Sequence, residues 1–468
     1  MSEEATLNQR LAELAASTSF ADLPLALVDS VRQRVLDTVG ICVAASELIS
    51  SQAVSRYVEA QGGAPHASVI GSGLQVPAAQ AAFANGVFAH SLDYDDTHLP
   101  SILHPSASIV PAALAVGERE GRSGSEILAA IAVGLEVCIR VGMAGYDPQT
   151  RNSRFFDRGQ HATSICGALG AAAAAAHLLE GDEQAIANSV AVAASMASGI
   201  IEANRTGGNV KRIHCGWAAH AGVTAADLVM VGISGPPTVF EGRFGFFQCF
   251  LDGQFVPEAI TSGLGTDWAA GAVHVKPYPA NHFTHTAVDA AREVRRRGVS
   301  VENIASLHLK VSTPTVRTIG DPIEVKRRPQ TGYEAQFSGP YVLVAALLGG
   351  GGLGVSLSDF NDDMVRDPAR RALMDKVTVS GDSRCDAIYP NEFPAILEAE
   401  LADGRVEVVE VLVNRGGPQN PLTDEELATK FRENVRCRLD DDVAVRVEER
   451  LLNLQKLDDI TGLLADLR

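Results

Sequence analysis

The sequence predicts a mainly α-helical protein that carries a smaller α+β domain inserted ahead of a helical C-terminal tail. Up to about residue 265, apolar residues recur at the three- and four-residue spacing of helices. After Gly265, alternating patterns typical of strands appear between helical segments, and after Pro421 the pattern is helical again. At 468 residues the chain is also too long for one ordinary core, which favours two domains.

The N-terminal part is predicted to consist of helices. One begins after Pro24, whose fixed φ suits the first turn of a helix. Ser123 and Glu126 have the spacing of a capping box, and Asp182 marks another helix start. Further helices are predicted near residues 77–90, 106–120, 124–143, 162–179, 182–198 and 215–231. Because several of them are small and apolar all round, we expect them to be buried among other helices.

The following segment mixes strands with helices. Leu307, Leu309 and Val311 alternate with polar residues, which predicts a strand. The stretch FPAILEAELADGRVEVVEVLV predicts two strands joined by a turn at Asp403-Gly404. Helices are predicted near residues 282–297, 334–348 and 360–374.

Domain boundaries follow from these changes of pattern. Residues 1–268 are predicted to form the large all-helical domain, and residues 269–412 the smaller α+β lid domain. Residues 413–468 are predicted to be C-terminal helices that pack back on the helical domain. The α+β domain is therefore expected to be an insertion in the helical one.

Composition and charge exclude several classes of protein. The chain has 39 Lys and Arg against 57 Asp and Glu, a formal charge of −18 that repels nucleic acid and anionic membranes. Its seven cysteines include no C-x-x-C pair, which predicts reduced thiols and a cytoplasmic protein. The start MSEEATLNQ does not resemble a signal peptide, and charge or glycine interrupts the apolar runs before membrane-spanning length. An anionic substrate therefore requires a local cluster of cations.

The stretch SLDYDDTHLPSILHPSAS, residues 91–108, concentrates titratable side chains beside a predicted helix. These side chains are Asp93, Asp95, Asp96, His98 and His104. Such a group fits a metal site, or a metal-free acid/base set whose pKa values are spread by burial and repulsion. It also fits a network that caps a helix. The spacing matches no compact metal motif, and on the residues alone the three alternatives stay open.

Two further stretches of the N-terminal part carry candidate residues. His161 precedes a helix of small residues, whose first backbone N–H groups attract a carboxylate. Alternatively, His161 only caps that helix. The stretch GGNVKRIHCG brings Lys211, Arg212 and His214 to a helix start. In so acidic a chain this predicts an anion site, with an exposed basic loop as the alternative.

The stretch VHVKPYPANHFTH supplies candidates from the second domain. They are Lys276, Tyr278, Asn281 and His282. His282 and His285 are three residues apart, which places them on one face of a predicted helix. We expect His285 to be a satisfied surface histidine.

Taken together, these stretches resemble the MmgE/PrpD family. The similarity runs in the same order through ANGVFAHSLDYDDTH, HATSICGALGAAAAAAHLL, KRIHCGWAAHAGVTAADLV, KPYPANHFTHTAVDAA and GGPQNPLTDEELATKF, over nearly the whole chain. The family includes 2-methylcitrate dehydratase, cis-aconitate decarboxylase and iminodisuccinate epimerase. The resemblance implies a homodimer, a smaller domain that closes over the site, and catalysis without a metal or an organic cofactor.

The resemblance also implies roles for individual residues. Asp93, His104, His161 and Lys211 match the positions that carry catalysis in the family. Substrate-binding roles are expected for Asp96, His98, Arg212, Lys276, Tyr278, Asn281 and His282. In decarboxylase members a histidine follows Pro-Ala in the fourth stretch, whereas Asn281 stands there in this chain. That difference favours an activity other than decarboxylation of cis-aconitate.

The chemistry that the family's reactions share fits this set of residues. A carbon next to a carboxylate loses a proton or CO2, and fixed donors must stabilise the resulting enolate-like dianion. Lys211 suits that role, with His104 and His161 as acid and base and Asp93 orienting an imidazole. A hydro-lyase resembling 2-methylcitrate dehydratase is favoured over an epimerase or a decarboxylase of a small di- or tricarboxylate. A metal-dependent hydrolase and a non-catalytic carboxylate-binding protein are the alternatives from other classes.

Overall fold

The computed structural model describes residues 5–468, which form two compact units. One unit extends to Val273 and takes up the chain again at Phe431–Arg468, and the other comprises His274–Lys430. The sequence-based boundaries lie at residues 268 and 412, so the main difference concerns residues 413–430. They lie in the second unit because Asn414 accepts a hydrogen bond of 2.7 Å from the backbone N–H of Phe393 and Gly416 accepts one of 2.9 Å from Val275.

Helices make up most of the first unit. Their bounds are α1 Leu7–Ser17, α2 Leu25–Ser46, α3 Ile49–Gln61, α4 Ala78–Ala89, α5 Ser106–Glu120, α6 Gly124–Ala144, α7 Arg154–Asp157, α8 Ala162–Leu178, α9 Glu183–Met196, α10 Ala203–Thr206, α11 Ile213–Met230, α12 Phe246–Leu251 and α13 Glu258–Thr261. Short 3-10 helices cover Phe20–Asp22, Val210–Arg212 and Ala269–Gly271. The predicted starts of α6 and α9 are confirmed, since Ser123 and Glu126 form a capping box and Asp182 accepts a hydrogen bond of 2.8 Å from the N–H of Ala185.

The prediction of a purely helical first domain needs a small correction. Strands β1 Ala67–Val69 and β2 Leu74–Val76 form an antiparallel ladder, and β3 Tyr146–Asp147 pairs with β4 Asn152–Ser153 in the same way. Both ladders close tight turns between helices. They are too short to show the alternating pattern by which a strand is recognised in a sequence.

Small residues let the central helices of the first unit approach closely. A Cβ atom on Gly216 of α11 would lie 2.3 Å from the carbonyl oxygen of Phe83 in α4. A Cβ atom on Gly222 of the same helix would lie 2.6 Å from the backbone nitrogen of Ala172 in α8. Any larger side chain at these positions would push the helices apart. The predicted burial of the small-residue helices is confirmed, with nearly every residue of α8 buried.

Helix α6 is long and apolar enough to cross a membrane, although the sequence-based expectation is that no apolar run reaches that length. In the structure 94% of this stretch is buried inside the protein. Its Glu136 and Arg140 form a buried ion pair at 2.5 Å, and Arg140 also donates to the carbonyls of Ile260 and Ser262. Such burial is typical of a core helix of a soluble protein.

A four-stranded sheet forms the centre of the second unit. Its strands are β5 Ile304–Val311, β6 Val377–Gly381, β7 Ala395–Leu401 and β8 Val406–Val411, in the order β6-β5-β7-β8. β5 runs parallel to β6 and antiparallel to β7, which pairs antiparallel with β8. The hairpin turn predicted at Asp403-Gly404 is confirmed, with Gly404 at a φ of 85°. β6 was not predicted, because only part of its five-residue length is buried.

The helices of the second unit are shorter than the sequence predicts. They are α14 His285–Arg296, α15 Thr313–Ile319, α16 Ile323–Lys326, α17 Gly332–Ala335, α18 Gly339–Leu347, α19 Asp362–Arg366, α20 Pro368–Met374 and α21 Ser383–Ile388. Further 3-10 helices are His282–Thr284, Val301–Asn303 and Leu357–Phe360. The helix predicted over 360–374 is broken before Pro368, which lacks a backbone N–H and begins α20 instead.

The C-terminal part is helical, as predicted. Its helices are α22 Asp424–Val435, within which the two units divide, α23 Asp441–Leu452 and α24 Thr461–Ala465, with a 3-10 helix at Leu454–Lys456. In the first unit, the backbone N–H of Gly71 donates to the carbonyl of Leu467 at 2.7 Å, and Arg438 donates to the carbonyl of Gly71. These bonds tie the end of the chain to the turn between β1 and β2.

Candidate functional site

The first unit brings the end of one helix and the beginnings of three others together. α4 ends where α5, α8 and α11 begin, and neighbouring members of this group are in contact. α5 and α8 run in the same direction, because Gly167 of α8 meets Ser108 of α5 near their first turns. α8 and α11 are also parallel, because Ala171 meets Gly222. Three helix N-termini, each with a partial positive charge, therefore face one region and favour an anion there.

Four histidines from these helix ends form a chain of neighbouring rings. The ring centroids of His104 and His90 are 5.4 Å apart, those of His90 and His161 5.5 Å, and those of His161 and His214 5.0 Å. His90, His161 and His214 are buried, while the side chain of His104 keeps 12% of its surface exposed. We call this group the histidine chain.

A hydrogen bond determines which nitrogen of His104 carries the proton, and another links the rings of His161 and His214. Nδ1 of His104 lies 2.7 Å from the carbonyl oxygen of Asp96. Since a carbonyl only accepts, Nδ1 carries the proton, and in the neutral ring Nε2 has the lone pair of a base. Nδ1 of His161 and Nδ1 of His214 are 3.0 Å apart, so one donates and the other accepts.

The electrostatics of the site keep two of the histidines neutral. Burial lowers the pKa of His161 well below its usual value, and the nearby charges of His90 and Lys211 lower it further. Burial and the same two neighbours lower the pKa of His214 to about 4. At neutral pH both rings are therefore uncharged, and Lys211 supplies positive charge beside them.

A pH effect on stability follows from His214. Its pKa is about 4 in the folded protein against an ordinary value of 6.5, so between these values the unfolded chain binds more protons. The free energy of unfolding therefore rises with pH in this window, by at most about 1.4 kcal/mol per pH unit from one residue. We expect His214→Gln to flatten this slope, measured by urea unfolding between pH 4 and 6.5.

A second titrating group in this window acts in the opposite direction. Burial raises the pKa of Asp96 to about 6, so the folded state holds that proton longer than the unfolded chain does. This contribution lowers stability as pH rises, but both proteins contain it and it cancels in the comparison. Equal slopes for wild type and His214→Gln would show that His214 is not held neutral by the fold.

Asp95 is the carboxylate that lies against the histidine chain. Its Oδ2 is 2.6 Å from Nδ1 of His90 and 4.0 Å from Nδ1 of His104. Sequence reasoning gave the orienting role to Asp93, which is buried in the same loop at a left-handed backbone position with φ 51°. The catalytic role of Asp93 stays a prediction.

Asp96 anchors the start of α5. Its carboxylate accepts hydrogen bonds from the backbone N–H and the hydroxyl of Ser106, at 3.2 and 2.5 Å. Nε of Arg34, a fully buried residue of α2, lies 3.9 Å from the same carboxylate. Asp96 therefore positions the loop whose backbone carbonyl orients His104. Sequence reasoning missed Arg34, which lies far from the motif, while the substrate-binding role predicted for Asp96 stays a prediction.

The remaining candidates of the first unit differ in their surroundings. Nδ1 of His98 is 2.6 Å from the hydroxyl of Ser101, within a turn of the same loop. Arg212 donates to the hydroxyl of Ser50 at 3.0 Å. Lys211 lies in the 3-10 helix just before α11, close enough to lower the pKa of two rings of the histidine chain. The structure thus brings Lys211 to the chain, and the binding roles of His98 and Arg212 stay predictions.

In the second unit, Lys276 and Tyr278 are both buried. The hydroxyl of Tyr278 donates to Asp289 at 2.6 Å and accepts from Arg415 at 3.0 Å. Burial and the Asp289 carboxylate raise the pKa of Tyr278 above its ordinary value. The backbone carbonyl of Lys276 accepts from Lys430 at 2.7 Å. The substrate-binding roles of Lys276 and Tyr278 stay predictions.

Asn281 caps the 3-10 helix His282–Thr284 through its side chain. The rings of His282 and His285 are 4.5 Å apart, as their spacing predicts. The expectation of a surface histidine at His285 is wrong, because this residue is fully buried and donates from Nε2 to a backbone carbonyl at 3.0 Å. His274, which sequence reasoning did not single out, lies 5.9 Å from His282. The substrate-binding roles of Asn281 and His282 stay predictions.

The donor groups of the 91–108 loop do not form one ligand set. Among residues 5–468, no three His, Cys, Asp or Glu side chains are arranged to hold a metal ion. The carboxylate of Asp96 is engaged by Ser106, and Nδ1 of His98 faces Ser101. Activity without a metal stays a prediction, which an assay has to test.

Known proteins resemble this chain over nearly its whole length. The MmgE/PrpD N-terminal domain matches residues 9–258, and the MmgE/PrpD C-terminal domain matches residues 278–455. The chain is 29% identical over 460 residues to a cis-aconitate decarboxylase from Homo sapiens, covering 93% of this chain and 90% of that protein. It is 27% identical over 470 residues to a cis-aconitate decarboxylase from Aspergillus terreus, covering 96% and 93%. It is also 27% identical over 465 residues to a cis-aconitate decarboxylase-like protein, oryM, from Aspergillus oryzae, covering 95% and 94%.

Proposed function

Because this chain belongs to the MmgE/PrpD family, we propose that it is a lyase of a small di- or tricarboxylate that works by proton transfer next to a carboxylate. The two matched domains leave little of the chain uncovered, and relatives at 27–29% identity are named as decarboxylases, which are lyases. They support an enzyme of the lyase class at the level of the family. The choice of substrate and of the bond that is broken belongs to the proposal.

One observation carries the proposal: the histidine chain lies at three helix N-termini beside Lys211. Although the chain has a formal charge of −18, the helix N-termini and Lys211 make this place favourable for an anion. The same place holds imidazoles, the side chains that most often transfer protons in catalysis. Binding of a carboxylate and transfer of a proton can therefore take place at one site.

The chemistry follows from the residues in contact. The helix N-termini and Lys211 would hold the carboxylates of the substrate and the negative charge that develops next to them. Nε2 of His104 has its lone pair available, because Nδ1 donates to the carbonyl of Asp96. It would take the proton from the carbon next to a carboxylate, and the electron pair would move into that carboxylate. The protonated His104 ring would then give this proton to the leaving hydroxide, which departs as water.

The same enolate-like dianion also forms when CO2 leaves, so decarboxylation of cis-aconitate is the second candidate. The named activity of the relatives favours it. The asparagine at 281, where decarboxylase members of the family carry a histidine, favours loss of water instead. Reprotonation on the opposite face would give an epimerase, the remaining alternative.

The experiment that tests the proposed function is an NMR assay in D2O. Purified protein is incubated with citrate, 2-methylcitrate, cis-aconitate and iminodisuccinate, and products and deuterium uptake are followed. We expect loss of water from a hydroxylated tricarboxylate. Release of CO2 from cis-aconitate would assign the second candidate, and inversion at carbon the epimerase. Neither product nor deuterium from any of these acids would overturn the proposal.

We expect activity to be independent of metal ions. The candidate acid/base groups are held by Asp96, Asp95 and one another, and the 91–108 loop does not present one ligand set. Turnover should change less than about twofold after dialysis against EDTA, and elemental analysis should show no stoichiometric zinc, iron or manganese. Turnover that is lost with EDTA and restored by one metal would contradict this prediction.

The homodimer that the family resemblance implies has a suitable surface in the first unit. Ile200, Val210, Ile213 and Trp217 are large apolar residues that are exposed to solvent. Trp217 donates to the carbonyl of Met196 at 3.4 Å, which places the start of α11 beside the end of α9. We propose that a second copy of this chain covers this apolar face, because apolar surface of this kind is buried on association.

The oligomeric state tests this proposal. Wild type should sediment as a dimer at micromolar concentration, whereas Trp217→Asp should weaken the dimer. Val408→Asp, an equally exposed apolar position in the second unit, is the matched control and should leave the dimer intact. A wild-type monomer, or equal dissociation of both variants, would contradict the assignment of the face.

A further inference from the structure

His90 ends helix α4 and is held by a carboxylate. It is the C-cap residue of α4 and is 4% exposed. Its Nδ1 lies 2.6 Å from Oδ2 of Asp95. An ionised carboxylate only accepts hydrogen bonds, so Nδ1 of His90 carries the proton in this pair. In the neutral ring the lone pair is therefore on Nε2.

The other edge of this ring is buried without a partner. Within the part of the chain that the structure describes, Nε2 of His90 has no hydrogen-bond partner and is shielded from solvent. Buried polar atoms nearly always have a partner in a folded protein or in its complex with a ligand. The centroids of the His104 and His161 rings lie 5.4 and 5.5 Å from that of His90. Nε2 of His90 is thus a buried ring nitrogen without a partner, within the histidine chain.

We propose that His90 is a further catalytic residue, a general base whose Nε2 takes the substrate proton while Asp95 holds Nδ1. This rests on the proposed function and makes His90, in place of His104, the base that takes the proton in that reaction, with His104 as the acid. The C–H bond next to the substrate carboxylate breaks, an N–H bond forms at Nε2, and the electron pair of the C–H bond moves into the carboxylate. His104, which enters this step as the imidazolium, gives its Nε2 proton to the leaving hydroxide, which departs as water and leaves His104 neutral.

Asp95 has a defined part in this pair. A carboxylate at hydrogen-bond distance favours the imidazolium that forms when His90 accepts a proton. It also fixes the ring so that Nε2 stays directed at the substrate, as the carboxylate does in a Ser-His-Asp triad. Asp95 is therefore a positioning residue. Other titratable and charged groups around this pair include Arg34, Cys42, Asp96, His104, His161, Lys211, His214 and Cys215.

Kinetics provides the first arm of the test. We expect His90→Gln to lower kcat by about 10²–10⁴-fold, the usual contribution of general acid–base catalysis. Asp95→Asn should lower kcat and move the acidic limb of the kcat/KM profile, because the protonated ring loses its carboxylate. A purely structural role would not move that limb. His177→Gln is the matched control, because His177 is a half-buried histidine bonded to the carbonyl of Ala15 elsewhere in the same unit.

NMR of the wild-type protein provides the second arm and does not depend on turnover. The probe is tricarballylate, a tricarboxylate without a leaving group, added to protein labelled with ¹⁵N at histidine. We expect the Nε2 resonance of His90 to move on binding while its Nδ1 keeps its proton. An Nε2 resonance unmoved by bound tricarballylate, or His90→Gln turnover within about threefold of wild type, would overturn the proposal.

The two arms separate this inference from the proposed function. If wild type acts on none of the acids, the proposed function fails, and the NMR arm alone decides whether Nε2 of His90 meets a carboxylate ligand. If wild type and His90→Gln turn over the substrate equally well, the proposed function is supported and the catalytic role of His90 is wrong. Thermal unfolding checks that each variant is folded. The NMR arm uses labelled wild-type protein, so its result does not depend on the folding of a variant.

Discussion

Replacing His104 with glutamine is expected to lower kcat/KM by about 10²–10⁴-fold, the range of general acid–base catalysis. The imidazole of His104 is oriented by the carbonyl of Asp96 at 2.7 Å and keeps 12% of its side chain exposed, so it can reach a substrate. Glutamine keeps the size and one hydrogen bond but cannot cycle a proton. Steady-state kinetics on the substrate found in the NMR assay provides the measurement.

The pH dependence of turnover adds a second readout for His104. Wild type should show a limb in its pH profile that His104→Gln lacks, because only one protonation state of the imidazole is productive. If Asp93 serves the same proton transfer, the double variant with Asp93→Asn should lose much less than the product of the two single losses. Multiplicative losses would give Asp93 a separate task, and Asp95 would then remain as the orienting carboxylate.

His66→Gln is the matched control for His104→Gln, because His66 is an exposed histidine of the same unit. It should keep the turnover of wild type. Near-normal turnover of His104→Gln would contradict the assignment of His104, and a loss shared by His66→Gln would point to an unspecific effect on the fold. Circular dichroism of both variants separates folding from catalysis.

Replacing Lys211 with methionine is expected to lower kcat/KM by at least about 10²-fold, the scale for loss of one donor to a developing charge. Methionine keeps much of the length of the side chain but removes its cation. Lys211 lies next to a helix start and close enough to the rings of His161 and His214 to lower their pKa values. Steady-state kinetics with wild type and variant provides the measurement.

The histidine titrations give a readout for Lys211 that does not depend on substrate. The positive charge of Lys211 lowers the pKa of both His161 and His214, so its removal should raise both values. NMR titration of labelled histidines measures this change. Lys456→Met, in the C-terminal part of the same unit, is the control and should change neither kinetics nor titration. Unchanged turnover and titration in Lys211→Met would show that the GGNVKRIHCG stretch is no anion site.

The periodic pattern of apolar residues predicted most helices of the first unit. A helix that packs against other helices has apolar residues at three- and four-residue spacing, and this spacing can be read from the sequence. α5 begins after a proline, and α6 and α9 begin after capping residues. The same reasoning failed where the pattern is short. β6 has only five residues, and Pro368 breaks a helix that the pattern alone would continue. Short elements depend on their neighbours more than on their own residues.

For the site, sequence motifs identified four of the residues that the structure brings together, namely His104, His161, Lys211 and His214. They did not identify His90 or its contact with Asp95. His90 ends an apolar helix, and in the sequence it is indistinguishable from a histidine that only caps that helix. The signal was the spacing of an imidazole and a carboxylate five residues apart, which is too common to single out.

The sequence by itself determined the helical character of the first unit, the acidic charge, and the stretches that carry titratable groups. Only the tertiary structure decided which of those groups meet. His90 and His214 lie more than a hundred residues apart in the sequence, yet they belong to one histidine chain. They do so because glycine at 216 lets α11 touch the backbone of α4, and glycine at 222 lets it touch α8. Contact between distant helices depends on the shape of both surfaces at once, and no local pattern of residues records that shape.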